Sequence, residues 1–188
     1  MGSSLADALR ALAAGELVVY PTDTLLGVAA RATDRDAVDR LAAAKDRPRD
    51  MPVSVAVSST EEVESLATLS TATRRFLRSR LPGPYTLLLP ASARARRLLA
   101  PSLLSPGGRL GVRVPDHPVA RELARRAGAI TSTSANRHGT PPARTVAEAR
   151  RAFGDRVAVY LPAVPRPTGR PSMLVDLTRA RPHVLRRR

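Results

Sequence analysis

The chain has no cysteine, so disulfides, thiolate metal sites and cysteine nucleophiles are excluded, and compartment cannot be read from redox chemistry. It has no tryptophan and only five other aromatics, Tyr20, Phe76, Tyr85, Phe153 and Tyr160, most of them in apolar contexts. That is too few to stack single-stranded bases. No apolar run approaches the ~20 residues that span a bilayer, and the stretch MGSSLADALRALAAGE carries acids and lacks the apolar segment of a signal peptide. No membrane role and a cytoplasmic location are therefore expected. Signature motifs are absent too: there is no glycine-rich loop ending in lysine and a hydroxyl residue, no histidine pair at helical spacing and no glycine-flanked serine elbow. Asp176 with His138 and Ser132 or Ser134 can be drawn as a triad, but three scattered residues without a strained turn carry little weight.

Acidic residues are scarce in the second part. Residues 1–64 hold eleven acids against seven bases, whereas residues 65–188 hold five against twenty-four. Between Glu64 and Asp116 there are nine arginines and no acid. Such a field attracts nucleotide phosphates or nucleic acid, although arginine on solvated faces explains many single residues equally well. Lysine is the scarcest base: of 31 basic residues 30 are arginine, and Lys45 stands alone. A compact ammonium kept in so arginine-rich a chain points to a position where the planar guanidinium will not serve.

At 188 residues, one domain with a full core is the default. Apolar spacing predicts helices over 5–12, 34–45, 71–81, 117–128 and 145–154, with Ser3 or Ser4, Asp34 and Ser70 as start signals, and a Ser59–Glu62 capping box opens a further short helix. LVVYP, GVAARA, PVSVAVS, YTLLLP, LGVRVP, AITSTSA, VAVYLP, SMLVDL and PHVLR read as strands, and SARARRLLAPSLLSPGGR is ambiguous. This alternation predicts an α/β or mixed α+β domain with helices packed on the sheet.

Polar residues gather at the element ends, where sites are usually built. VVYPTDTLLG leaves a buried strand through Thr22, Asp23 and Thr24; a plain turn accounts for that as well as a site does. Lys45, Arg47 and Arg49 share one proline-stiffened loop and can converge on a polyphosphate, or form a solvated basic loop. STSAN, Ser132 to Asn136, can line a phosphate or ribose, or cap a turn.

Together, PTDTLLG, KDRPRDMP, PGPYT, VRVPDHP, STSANRHG and PSMLVDL, ending in VLR, resemble the YrdC-like family of threonylcarbamoyl-AMP synthases across nearly the whole chain. The resemblance implies one YrdC-like domain over 1–188 with no additional C-terminal domain, built as a twisted mixed sheet with a basic cleft. It implies an L-threonylcarbamoyladenylate synthase that joins L-threonine, bicarbonate or CO2 and ATP, with Mg²⁺ travelling on the ATP, for threonylcarbamoyladenosine modification of tRNA by a downstream transferase. Lys45 and Arg47 would act electrostatically. Lys45, Arg49, Ser132, Ser134, Asn136 and Arg186 would hold ATP, and Thr22, Arg113 and Ser172 would grip threonine. Leu26, Met51, His138 and Met173-Leu174 depart from the family pattern and bear on substrate identity more than on fold. A paralogue without threonine-dependent synthesis, or an RNA-binding protein that contacts tRNA or double-stranded RNA, is the rival reading.

Overall fold

Helix starts follow their caps. The structure is a computed structural model that describes residues 3–48, 51–179 and 181–187. In α1 (Leu5–Ala13) the Ser4 side chain accepts the Asp7 N–H while the Asp7 carboxylate accepts the Ser4 N–H, a reciprocal box. Asp34, Ser59 and Ser70 cap α2 (Arg35–Ala44), α3 (Thr60–Leu66) and α4 (Thr71–Arg80) in turn. The expected Ser59–Glu62 box is only half made, because the Glu62 carboxylate accepts from the Ser58 N–H and hydroxyl instead. The ambiguous arginine-rich piece becomes α5 (Ala93–Leu98), capped by Ser92, and a 3-10 turn at Pro101–Leu103. Pro118 opens α6 (Pro118–Ala127), and Gly128 at φ 80° ends it, a conformation that favours glycine. Thr145 caps α7 (Val146–Phe153).

The strands are β1 (Val18–Pro21), β2 (Leu26–Ala29), β3 (Ser54–Ala56), β4 (Tyr85–Pro90), β5 (Arg109–Arg113), β6 (Ile130–Ser134), β7 (Val159–Tyr160), β8 (Met173–Asp176) and β9 (His183–Arg186). Among the described residues these nine form one sheet in the order β7-β1-β2-β6-β3-β5-β4-β8-β9. Pairs β1–β7, β3–β5 and β4–β8 are parallel and the others antiparallel, so the sheet is mixed, as the alternation predicts. Helices cover both faces. Ala8 and Leu12 of α1 and Leu123 of α6 pack with Val18, Tyr20 and Ile130 on one face. Leu41, Val63, Leu77 and Phe153 pack with Val19, Val55 and Val112 on the other. Among the described residues no helix is long and apolar enough to cross a membrane.

The face that carries α1 and α6 positions the site. Because side chains alternate along a strand, residues two apart share a face. Along β6, Ile130 in the core is followed on that face by Ser132 and Ser134; along β3, Ala56 is preceded by Ser54; along β2, Ala29 is preceded by Gly27. The apolar residues lie in the core cluster with the two helices, and their small or polar successors line a cavity. Sequence composition along each strand thus marks where helix cover stops.

Candidate active site

The cavity is about 350 Å³, within the range of small-molecule sites. Strand register builds its floor: Gly27 opposes Ser134, Ser132 opposes Ser54, and Ala56, two residues beyond Ser54, pairs with Arg113. The row continues through Thr86, which is paired with Leu174, and Leu174 is paired with Arg186. Three guanidinium groups, those of Arg47, Arg113 and Arg186, line this space, and among the described residues no acid does. Burial pushes the Arg47 and Arg186 guanidiniums below their ordinary values, and Arg113 adds to the effect at Arg186. Charges held close in this way favour a bound anion.

Arg113 is 5% exposed and held from one side by the turn after β1. It donates to the Asp23 carboxylate at 2.6 Å and to the Thr24 hydroxyl at 3.0 Å, while its Nε has no partner. Thr22 makes that turn: its hydroxyl donates to the Leu25 carbonyl at 2.7 Å and accepts the N–H groups of Thr24 and Leu25. Three polar residues before Gly27 therefore have separate tasks, one shaping the turn and two fixing the arginine. In the sequence Asp23 reads only as a turn residue; its signal is an acid beside two hydroxyls at the end of a buried strand. The loop before Pro171 closes over the same turn. Thr168 and Gly169 donate their N–H groups to the Asp23 and Thr24 carbonyls, and buried His117 meets the Pro165 carbonyl at 3.0 Å.

Ser172 sits at the other side of the floor. Its hydroxyl lies 2.8 Å from that of Thr86 and accepts from Arg186 at 3.2 Å, and its carbonyl also accepts from Arg186. Thr22, Arg113, Ser172, Ser132, Ser134, Arg47 and Arg186 are thus brought to one cavity.

Two of the expected nucleotide ligands, Lys45 and Asn136, do not line the cavity. Lys45, at the end of α2, is 2% exposed, and its ammonium donates to the Ser134 and Asn136 carbonyls, both at 2.5 Å. Its Nζ also lies 5.9 Å from the centre of the Phe153 ring. Burial first, and then Arg47, push the Lys45 ammonium down to about 8. The Asn136 side chain accepts from the Ser134 hydroxyl at 2.6 Å and donates to the Arg137 and Thr140 carbonyls. Both residues shape the STSAN turn, which presents Ser132 and Ser134. Arg47 is braced by the Met51 and Pro52 carbonyls. Arg49 lies outside the described residues. The sketched triad does not form: the Asp176 carboxylate accepts from Thr178 and Arg179, and His138 is exposed. Among the described residues no cluster of three or more His, Asp or Glu could hold a metal ion.

The Sua5_yciO_yrdC family model, described as telomere recombination, matches residues 10–188. A Mycobacterium tuberculosis protein provisionally named threonylcarbamoyl-AMP synthase is 42% identical over 187 residues, covering 97% of this chain and 82% of the relative. The threonylcarbamoyl-AMP synthase of Chromohalobacter salexigens is 39% identical over 175 residues, 92% of each chain. Among solved structures, P. abyssi Sua5 complexed with L-threonine superposes with a TM-score of 0.86 at 28% identity over 97% of this chain. The present chain spans about half of that protein, 53% of its length. E. coli YciO matches in fold, with a TM-score of 0.83 at 23% identity over 97% of this chain and 87% of its own.

Proposed function

The chain belongs to the Sua5/YciO/YrdC family, and we propose that it is an L-threonylcarbamoyladenylate synthase. It forms threonylcarbamoyl-AMP and pyrophosphate from L-threonine, bicarbonate or CO2 and ATP, and a downstream transferase moves the threonylcarbamoyl group to tRNA. The observation that carries this reading is the cavity in which three guanidiniums face a floor of hydroxyls and, among the described residues, no acid. An amino acid carboxylate and a polyphosphate are both anions, and each needs a cation of its own.

Arg113 receives the threonine carboxylate on guanidinium N–H groups not spent on Asp23 and Thr24, with Thr22 and Ser172 beside it. Arg47, Arg49 and Arg186 neutralise the phosphates, and Ser132 and Ser134 bond the nucleotide. Lys45 and Asn136 support that contact from behind, through the carbonyls and hydroxyl they hold. The threonine nitrogen attacks the carbon of CO2 and gives up a proton. One oxygen of the resulting carbamate then attacks the α-phosphorus in line, and pyrophosphate leaves. Neither step needs a protein nucleophile; holding the reactants in line and stabilising charge suffice. Mg²⁺ would enter with ATP and offset charge on its phosphates; among the described residues the cavity lining offers no carboxylate to hold it. The exposed arginines of α5 give tRNA or double-stranded RNA a backbone contact, and a tRNA-directed product places the reaction in the cytoplasm.

The test is pyrophosphate release from ATP with each amino acid in turn, with and without bicarbonate. Release should require both threonine and bicarbonate, with serine slower by roughly 10–200-fold, the worth of one methyl. Release that ignores threonine would sink the reading.

A further inference from the structure

Thr86 is a cavity hydroxyl without a task in the reaction so far. It is 4% exposed, lines the cavity and meets the Ser172 hydroxyl at 2.8 Å. We infer that the Thr86–Ser172 pair receives the β-hydroxyl of the amino-acid substrate, which makes Thr86 the residue that separates threonine from its apolar isostere valine. The inference rests on the threonine-dependent reading above and assigns the specificity of that same site.

Register places Thr86 where this contact is needed. The pairing of Leu87 with Val112 brings Thr86 beside Arg113 on the cavity face, one strand spacing of ~4.8 Å away. A small amino acid whose carboxylate rests on Arg113 has its β-substituents within that span. The next strand contributes Leu174, in register with Thr86, as an apolar neighbour for the γ-methyl. A hydroxyl and a methyl on one carbon thus meet a hydroxyl pair and a leucine side by side.

Counting hydrogens supports the same role. Each hydroxyl has one donor and two acceptor positions. The Ser172 oxygen already accepts from Arg186, and one O–H of the pair is spent between Ser172 and Thr86. The second O–H is left for the cavity. A substrate hydroxyl accepts it, whereas valine leaves it buried and unpaired, which is the costly case. Sites built to bond a substrate hydroxyl reject the analogue lacking it by ~10⁴–10⁵-fold.

The experiment measures kcat/KM from pyrophosphate release at saturating MgATP and bicarbonate, with L-threonine and L-valine, for the unmutated chain, Thr86→Val, Thr86→Ala and Thr86→Ser. Thermal unfolding of each protein is recorded alongside. Thr86→Val should fold normally, lose threonine turnover by roughly 10–100-fold and narrow the threonine-to-valine ratio by at least that factor. Its KM for ATP should hold, and Thr86→Ser should keep most of the ratio. A ratio unchanged in folded Thr86→Val overturns this inference alone, as does a rise confined to the KM for ATP, which would assign the pair to the ribose. If Thr86→Val fails to fold, Thr86→Ala decides: an unchanged ratio in that folded variant overturns the hydroxyl assignment, and a narrowed ratio that Thr86→Ser restores supports it. An unmutated chain that releases no pyrophosphate with threonine overturns both readings.

Discussion

Arg113 and Asp23 form an ion pair at 2.6 Å with side chains only 6% and 12% exposed, joined across the cavity edge from strand to turn. The pair fixes the guanidinium before any substrate arrives, and it leaves Asp23 Oδ2 without a partner. Breaking one half of such a buried pair costs ~3–5 kcal/mol, because the other charge stays behind uncompensated. Asp23→Asn is expected to lower the unfolding temperature by roughly 6–20 °C, at ~2–4 °C per kcal/mol for a chain of this size. It should also raise the KM for threonine more than the KM for ATP. An unaltered threonine KM would mean that the substrate carboxylate is held elsewhere.

Burial of the Lys45 ammonium makes stability depend on pH. Its native-state value is lowered from 10.5 to about 8 by burial and by Arg47. Below pH 8 both native and unfolded chains carry the proton, so the cost of burying the ammonium is fully present. Between pH 8 and 10.5 the native chain has lost the proton and the unfolded chain keeps it, so stability rises with pH. From pH 7.5 to 10 the unmutated protein should therefore gain about 2 kcal/mol relative to Lys45→Met, measured by urea unfolding at each pH. Parallel pH curves for the two proteins would show that the lysine is not buried in its charged form.

Gly27 is directly opposed to Tyr20 in the β1–β2 pair. A Cβ at Gly27 would stand 2.9 Å from Tyr20 Cε1, and Tyr20 is fully buried with its hydroxyl 3.2 Å from the Thr131 carbonyl. The ring cannot swing away, so Gly27→Ala is expected to cost ~1–3 kcal/mol. The same change in a Tyr20→Leu background should cost clearly less, since the two sites are in contact and their effects do not add. Equal costs in both backgrounds would show that the ring does give way.

What the sequence made legible follows from where its signals are local. Caps at Ser4, Asp34 and Ser70, the glycine stop at Gly128 and the strand alternation are short-range, and the elements they mark are present. The lone lysine also pointed to something physical: a compact ammonium fits between two carbonyls of the STSAN turn. Its contact is with main chain 89 and 91 residues away, which no local pattern specifies. Locally Asp23 reads only as a turn residue, because its partner Arg113 is 90 residues distant. Thr86 closes the PGPYT motif with no role legible there, for the same reason: only the register of β4 with β5 and β8 puts it among the site residues.

Among the described residues, the basic surface divides into arginines with and arginines without an acidic partner. Arg74 and Arg78 lie in the acid-free stretch, but both pair with Glu64, at 2.6 and 3.0 Å, which lowers their reach toward an external phosphate. Arg94, Arg96 and Arg97 are exposed on α5, and none of them lines the cavity. If this helix grips RNA, binding runs through phosphates: it should fall steeply between ~50 and ~200 mM salt and show little sequence preference. Replacing all three arginines by glutamine should then flatten the slope of log K against log salt by ~2–3 for a double-stranded RNA probe. Adenylate synthesis by the triple variant should match that of the unmutated chain, since the three side chains lie outside the cavity. A slope that does not change places the RNA contact on another face. A folded triple variant that loses synthesis would instead show that α5 supports the catalytic cavity, and the separation drawn here between a phosphate-gripping surface and a reaction cavity would fail.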